Sequence, residues 1–146
     1  MYTTVAKEFL YMQTTIYSYK KPFLLGVLVA IFVLGVNAFA EYFHIYYLYH
    51  WFDIPMHISG GFAVGLIAIA LLRVIYVGVA YEKKIQFVFM LALTILVGIA
   101  WEAFETYFKT SVMYGGNYWF DTIKDLLMDT LGGILSYICF HPHIKK

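Results

Sequence analysis

Four stretches of this chain are each apolar over about the 20 residues a helix needs to cross a bilayer core, with short polar segments between them. They cover residues 22–40, 54–81, 85–108 and 121–140. Each is too long and too continuous for a soluble core helix. The 146 residues are 62% hydrophobic and only 13% charged, against roughly 25% charged in soluble domains. A soluble fold of this size has too little interior to hide that surface. The pattern predicts an all-α integral membrane bundle of four transmembrane helices, with residues 1–146 forming a single domain. A net charge of +1 offers no basic face, so nucleic acid is excluded as a partner. The single cysteine, Cys139, excludes an internal disulfide and a Cys-rich zinc site.

Residues 1–20 are not a span. Val5, Phe9, Met12, Ile16 and Tyr19 follow helical spacing, with Lys7, Gln13 and Thr14 off that stripe. This predicts an amphipathic interfacial helix; a helix packed against the bundle has the same pattern. Pro22 suits a first helical position, because its missing N–H would be unbonded there anyway. Lys20, Lys21, the apolar run and Ala38-Phe39-Ala40 imitate a signal peptide. Roughly 20 residues precede the basic pair, so the first span is read as permanent.

Basic residues set the orientation. Lys7, Lys20, Lys21, Lys83, Lys84, Lys145 and Lys146 fall on one side of a four-span topology, and Lys109 and Lys124 on the other. Both termini are therefore expected in the cytoplasm. The aromatic segments 41–52 and 114–120 then lie on the outer side, where Tyr and Trp favour the headgroup layer.

The acids are distributed the opposite way. Glu8 and Glu82 are cytoplasmic, whereas Glu41, Asp53, Glu102, Glu105, Asp121, Asp125 and Asp129 sit at the outer ends of the spans. Acids contribute little to orientation, so this asymmetry needs its own cause. Asp53 and His57 are four apart, Glu102 and Glu105 three apart, and Asp121, Asp125 and Asp129 step by four. Each set therefore shares one helix face. At 1.5 Å per residue, His57 lies roughly 6 Å below Asp53, Asp129 roughly 12 Å below Asp121 and Glu102 roughly 9 Å below Phe108. His57, Glu102 and Asp125 are thus expected at similar depth. An intramembrane charge costs about 2.5–3.5 kcal/mol at the bilayer centre, and such groups usually face the bundle interior. Shared protons, water or a bound cation would relieve the cost.

A divalent cation suits these side chains. Carboxylates with imidazole take Zn, Mn or Fe, and oxygen sets take Mg or Ca. The candidate ligands are Asp53, His57, Glu102, Glu105, Asp121, Asp125 and Asp129, with Glu105 and Asp125 as candidate catalytic groups. Among these candidate ligands neither Glu-x-x-His nor His-Glu-x-x-His occurs, so they match no metalloenzyme signature.

Plainer readings stand beside these. Asp53, before Ile54-Pro55, also reads as an N-cap, and so does Asp121 for the fourth span. Glu41 reads as an interfacial residue. Lys124 reads as a surface partner of Asp121 or Asp125. His57 alone would be an ordinary hydrogen-bonding histidine. Gly60, Gly61, Gly65, Gly98, Gly132 and Gly133 read as close-packing positions. Arg73 reads as a snorkelling residue at the cytoplasmic end. Cys139 reads as a small apolar filler, and His141 and His143 as a solvated tail.

Asp53-x3-His57-x3-Gly61, then Trp101-Glu102-x2-Glu105, then Trp119-Phe120-Asp121-x3-Asp125 resembles the YjdF-like family of bacterial inner-membrane proteins. The resemblance covers roughly residues 50–135. The same residues more loosely resemble VanZ-like proteins, with Asp129 where those carry Asn. The first resemblance implies an inner-membrane location and a joint role for Asp53, His57, Glu102, Glu105, Asp121 and Asp125, without an activity. The second implies an envelope role linked to glycopeptide tolerance.

Three functions fit the residues. One is a metal-dependent enzyme acting on a lipid or lipid-linked substrate; the outer side shows no nucleophile and no phosphate-binding Arg pair of the usual phosphatase kind. A second is a proton- or cation-coupled carrier, which the sparse polar content of the inner halves disfavours. A third is a non-catalytic protein that binds a lipid or a partner.

Overall fold

The computed structural model describes residues 2–75, 82–108 and 118–140, with side chains from residue 20 onward. Among these residues every regular element is helical. Helix α1 covers Tyr2–Tyr42, α2 Ile45–Leu48, α3 Asp53–Ile75, α4 Lys83–Phe108 and α5 Tyr118–Phe140, with a 3-10 turn at His50–Phe52 before α3.

Three of these helices have a segment long and apolar enough to cross a membrane: Lys20–Tyr42, His50–Ile75 and Lys83–Phe108. The fourth expected span, α5, has the length but not the composition. Asp121, Lys124, Asp125 and Asp129 all lie in its first half.

Pro22 does not start a helix. Helix α1 runs unbroken through it. A mid-helix proline removes one backbone bond, and intramembrane helices tolerate this where neighbours compensate. Pro22 is buried. The expected boundary between an interfacial helix and the first span is therefore absent. The amphipathic face expected over residues 1–20 falls on side chains outside those described. Helix α1 ends where His44 turns left-handed, at φ 55°. Histidine is among the side chains enriched in that conformation.

Helix α3 is the central element. It packs against α1, α4 and α5, and α4 also packs against α5. Glycine makes the α3–α5 crossing close. A Cβ on Gly61 would collide with the Asp129 backbone, and one on Gly132 with the backbone oxygen of Ile58. Small residues four apart on both helices, Gly61 with Gly65 and Gly132 with Ser136, form the seam. This is how apolar helices gain van der Waals contact where no hydrophobic drive separates them from lipid.

The buried face of α4 steps by four through Gln86, Met90, Thr94, Gly98 and Glu102. Gln86, Thr94 and Ser136 are all buried below the acids. The inner half of the bundle is therefore more polar inside than expected. Arg73 does not snorkel; it is buried and donates from Nη2 to the Phe140 carbonyl at 3.0 Å. That contact satisfies a carbonyl at the α5 C-terminus, where a cation is favoured. Cys139 is exposed rather than a core filler. His141, His143 and the 76–81 end of the second expected span lie outside the described residues.

Candidate metal centre

Asp53 opens α3 with helical backbone angles, φ −61° and ψ −41°. An N-cap residue has non-helical angles, so the cap reading fails. Its carboxylate faces side chains instead. Asp53 Oδ1 lies 3.4 Å from His57 Nε2, and Oδ2 accepts from Lys124 Nζ at 2.9 Å. Helix α5 begins at Tyr118, so Asp121 is inside the first turn rather than before it. Asp121 Oδ1 accepts from Lys124 Nζ at 2.7 Å.

One turn along α3, His57 is 5% exposed and is surrounded by acids. Its Nε2 faces Asp53 and also lies 3.8 Å from Asp125 Oδ1. Its Nδ1 lies 3.3 Å from Asp129 Oδ1. A neutral imidazole donates from one nitrogen only. Two nitrogens that both face carboxylates therefore require an additional proton or a cation among them.

Helix α4 supplies the opposite wall. Glu102, 6% exposed, accepts from Thr122 Oγ1 at 2.9 Å through Oε2. Its Oε1 is buried and has no hydrogen-bond partner. Glu105 accepts from Trp101 Nε1 at 2.8 Å. Asp125 is 2% exposed. Its Oδ1 also lacks a directed hydrogen bond, although Lys124 Nζ is 3.2 Å away. Gly98 makes room for this wall, because a Cβ there would meet Asp129 Oδ2 at 2.6 Å.

Two groups of three donors result, Asp53–His57–Asp125 and His57–Glu102–Glu105. Within each group the donor atoms lie within 4.8 Å of one another. Two ligands at about 2.1 Å from one ion can be no more than about 4.2 Å apart. Three donors sharing one ion stand about 3.4–3.6 Å apart, so either group would contract by up to about 1.2 Å, through side-chain rotation, to close on an ion. The donor set is hard oxygen with one imidazole, which suits Zn, Mn, Fe or Mg. Buried carboxylate oxygens without hydrogen bonds are rare in native structures and call for an explanation such as an ion.

The helical stripes thus converge, but unequally. Asp53, His57, Glu102, Glu105 and Asp125 enter the two groups. Asp129 reaches the far nitrogen of His57, and Asp121 is drawn to Lys124. Lys124 is no surface partner of one acid: it bridges Asp53 on α3 to Asp121 and Asp125 on α5. Sequence spacing also missed Thr122 as a donor to Glu102. Trp101 was visible only as a letter in the family motif. Glu41 is half-buried in the last turn of α1, outside both groups.

Beside the centre is a cavity of about 180 Å³ between α1, α3 and α4. Asp53, His57, Glu105 and Asp129 form part of its wall.

The family model described as "Predicted membrane protein (DUF2238)" matches residues 5–146, and the chain belongs to that family. It is the family of the YjdF-like proteins, so that resemblance holds; the VanZ-like one has no support. No curated protein and no solved structure shows significant similarity to the chain.

Proposed function

We propose that this member of the DUF2238 family holds a divalent cation between His57 and the surrounding carboxylates, and uses it at the outer end of a four-span inner-membrane bundle. The observation that carries the reading is His57 itself. It is shared by both donor groups, beside Glu102 Oε1, a buried oxygen with no hydrogen-bond partner among the described residues. A cation there would offset the excess of buried acid over Lys124.

Asp53, His57 and Asp125, or His57, Glu102 and Glu105, would hold the ion, with Asp129 orienting His57 from its other nitrogen. When bound, the ion would polarise a phosphoryl or carbonyl oxygen or lower the pKa of water. Glu105 and Asp125 are the groups for proton transfer at such a centre. The substrate class in this reading is a lipid or lipid-linked molecule, because the site lies within the apolar helices. The lysine distribution supports a placement of both termini in the cytoplasm.

Elemental analysis of detergent-purified protein tests this reading. About one ion per chain is expected, falling at least tenfold in a Glu102→Gln, Asp125→Asn double variant that still elutes as folded protein. Near-zero metal in both would remove it.

A further inference from the structure

Helices α1 and α4 both rest on α3 but scarcely touch each other. The cavity fills the cleft they leave. Its lower walls are mostly apolar, from Val33 and Leu34 on α1, Val64 on α3 and Val97 on α4, with Thr94 the polar exception. Leu34 and Val97 are 54% and 40% exposed, so they stand at a mouth facing sideways. Its upper end is polar and is bounded by Asp53, His57 and Glu105. Above that end, Tyr46 of α2 donates to Asn37 Oδ1 at 2.6 Å and packs on Phe52 with ring centroids 5.7 Å apart. Among the described residues these contacts narrow the polar end of the cleft, while its side is open between Leu34 and Val97.

Length and charge indicate what fits. Between Asp53 and Val64 the cleft runs roughly 16 Å along α3. That is about half of a 30 Å hydrocarbon core, the depth of one leaflet. Its volume of about 180 Å³ exceeds the roughly 150 Å³ that admits benzene. It suits one slim chain rather than a folded polar molecule. Among the described residues no lysine or arginine lines it. An anionic headgroup at its polar end would therefore need a cation bridging it to the acids.

We propose that the α1–α4 cleft admits a single chain of a phosphate-headed lipid sideways from the bilayer and places its phosphate against the ion held around His57. This rests on the cation reading above, since the cleft wall alone would repel a phosphate.

The test uses the full chain in amphipol, loaded with Mn²⁺, and compares a single-chain lysophosphatidate with inorganic phosphate. The chain should improve binding at least tenfold. Gly60→Leu should abolish that gain while leaving Mn²⁺ content unchanged. A Cβ at Gly60 meets nothing closer than Asp129 Oδ1 at 4.0 Å, so the helix accepts the change and the longer side chain enters the cleft. Val97→Phe at the mouth should act the same way and serves if Gly60→Leu misfolds. Equal affinity for phosphate and lysophosphatidate, or full lipid binding in both blocked variants, would overturn the cleft assignment and leave the cation reading standing. Absence of Mn²⁺ from the unaltered protein would overturn both.

Discussion

Lys124 ties two helices together, pairing with Asp53 on α3 and with Asp121 and Asp125 on α5. Spacing along α5 allowed it one acid as a neighbour; the fold gives it three, on two helices. Helical periodicity states which residues share a face but not how neighbouring helices are rotated toward one another. The stripes were therefore legible, and the cross-helix contacts of Lys124 and Thr122 were not. The cap alternative for Asp53 and Asp121, weighed beside the ligand reading, fails for a related reason. Each helix includes them, and cap assignments depend on a boundary that shifts by a residue or a turn. Removing one partner of a buried pair costs about 3–5 kcal/mol; Lys124 is 33% exposed, which lowers that. Lys124→Met should destabilise the protein by about 2 kcal/mol in denaturant titration in detergent. Added Mn²⁺ should recover more stability in this variant than in the unaltered chain, because the ion would replace a lost positive charge. Equal recovery in both would separate Lys124 from the centre.

Elements α3 and α5 hold the centre together through backbone contact. The glycines were readable as packing positions, yet only the structure distinguishes Gly61 and Gly132, which meet backbone, from Gly35, which has nothing within 4 Å. Overpacking a close contact typically costs 1–3 kcal/mol. Gly61→Ala should cost about that or more, because backbone cannot rotate aside. It should also lower metal content, although no ligand is changed, by moving Asp125 and Asp129 away from His57. Gly35→Ala should be neutral or stabilising by up to about 1 kcal/mol, from helix propensity alone. Melting curves and metal content of the two variants test both statements together. Full metal content in a Gly61→Ala protein that has lost stability would show that the centre does not depend on this crossing. Pro22 and Arg73 were misread at the element scale. Inside a membrane bundle neighbouring groups can compensate the backbone bond that a mid-helix proline removes, and a carbonyl at a helix C-terminus can take the arginine head.

At the scale of the whole molecule, low charge content and four apolar runs were enough for an all-helical membrane protein. The last run was the weak one, because the polar residues that build the centre also lower its hydropathy. Helix α5 carries its acids on the face turned toward α3 and α4, with Ile123, Leu127, Leu131 and Leu135 exposed on the other. Such a helix can cross a bilayer with an apolar side toward lipid while its polar side is buried in protein. In Cys139→Ser protein, single cysteines placed at Lys20 and Glu82 should label from the cytoplasmic side, and one at His44 from the outer side. Labelling of Lys20 and His44 positions from the same side would refute the orientation.

A divalent cation held between His57 and the acids of α3, α4 and α5 is visible to anomalous diffraction at the manganese edge, from crystals of the full chain grown with Mn²⁺. A peak is expected at about 2.0–2.6 Å from a His57 ring nitrogen and from carboxylate oxygens of Asp53 and Asp125, or of Glu102 and Glu105. A centre without a peak, at a Mn²⁺ concentration that saturates the protein's ion content in solution, would contradict the cation reading.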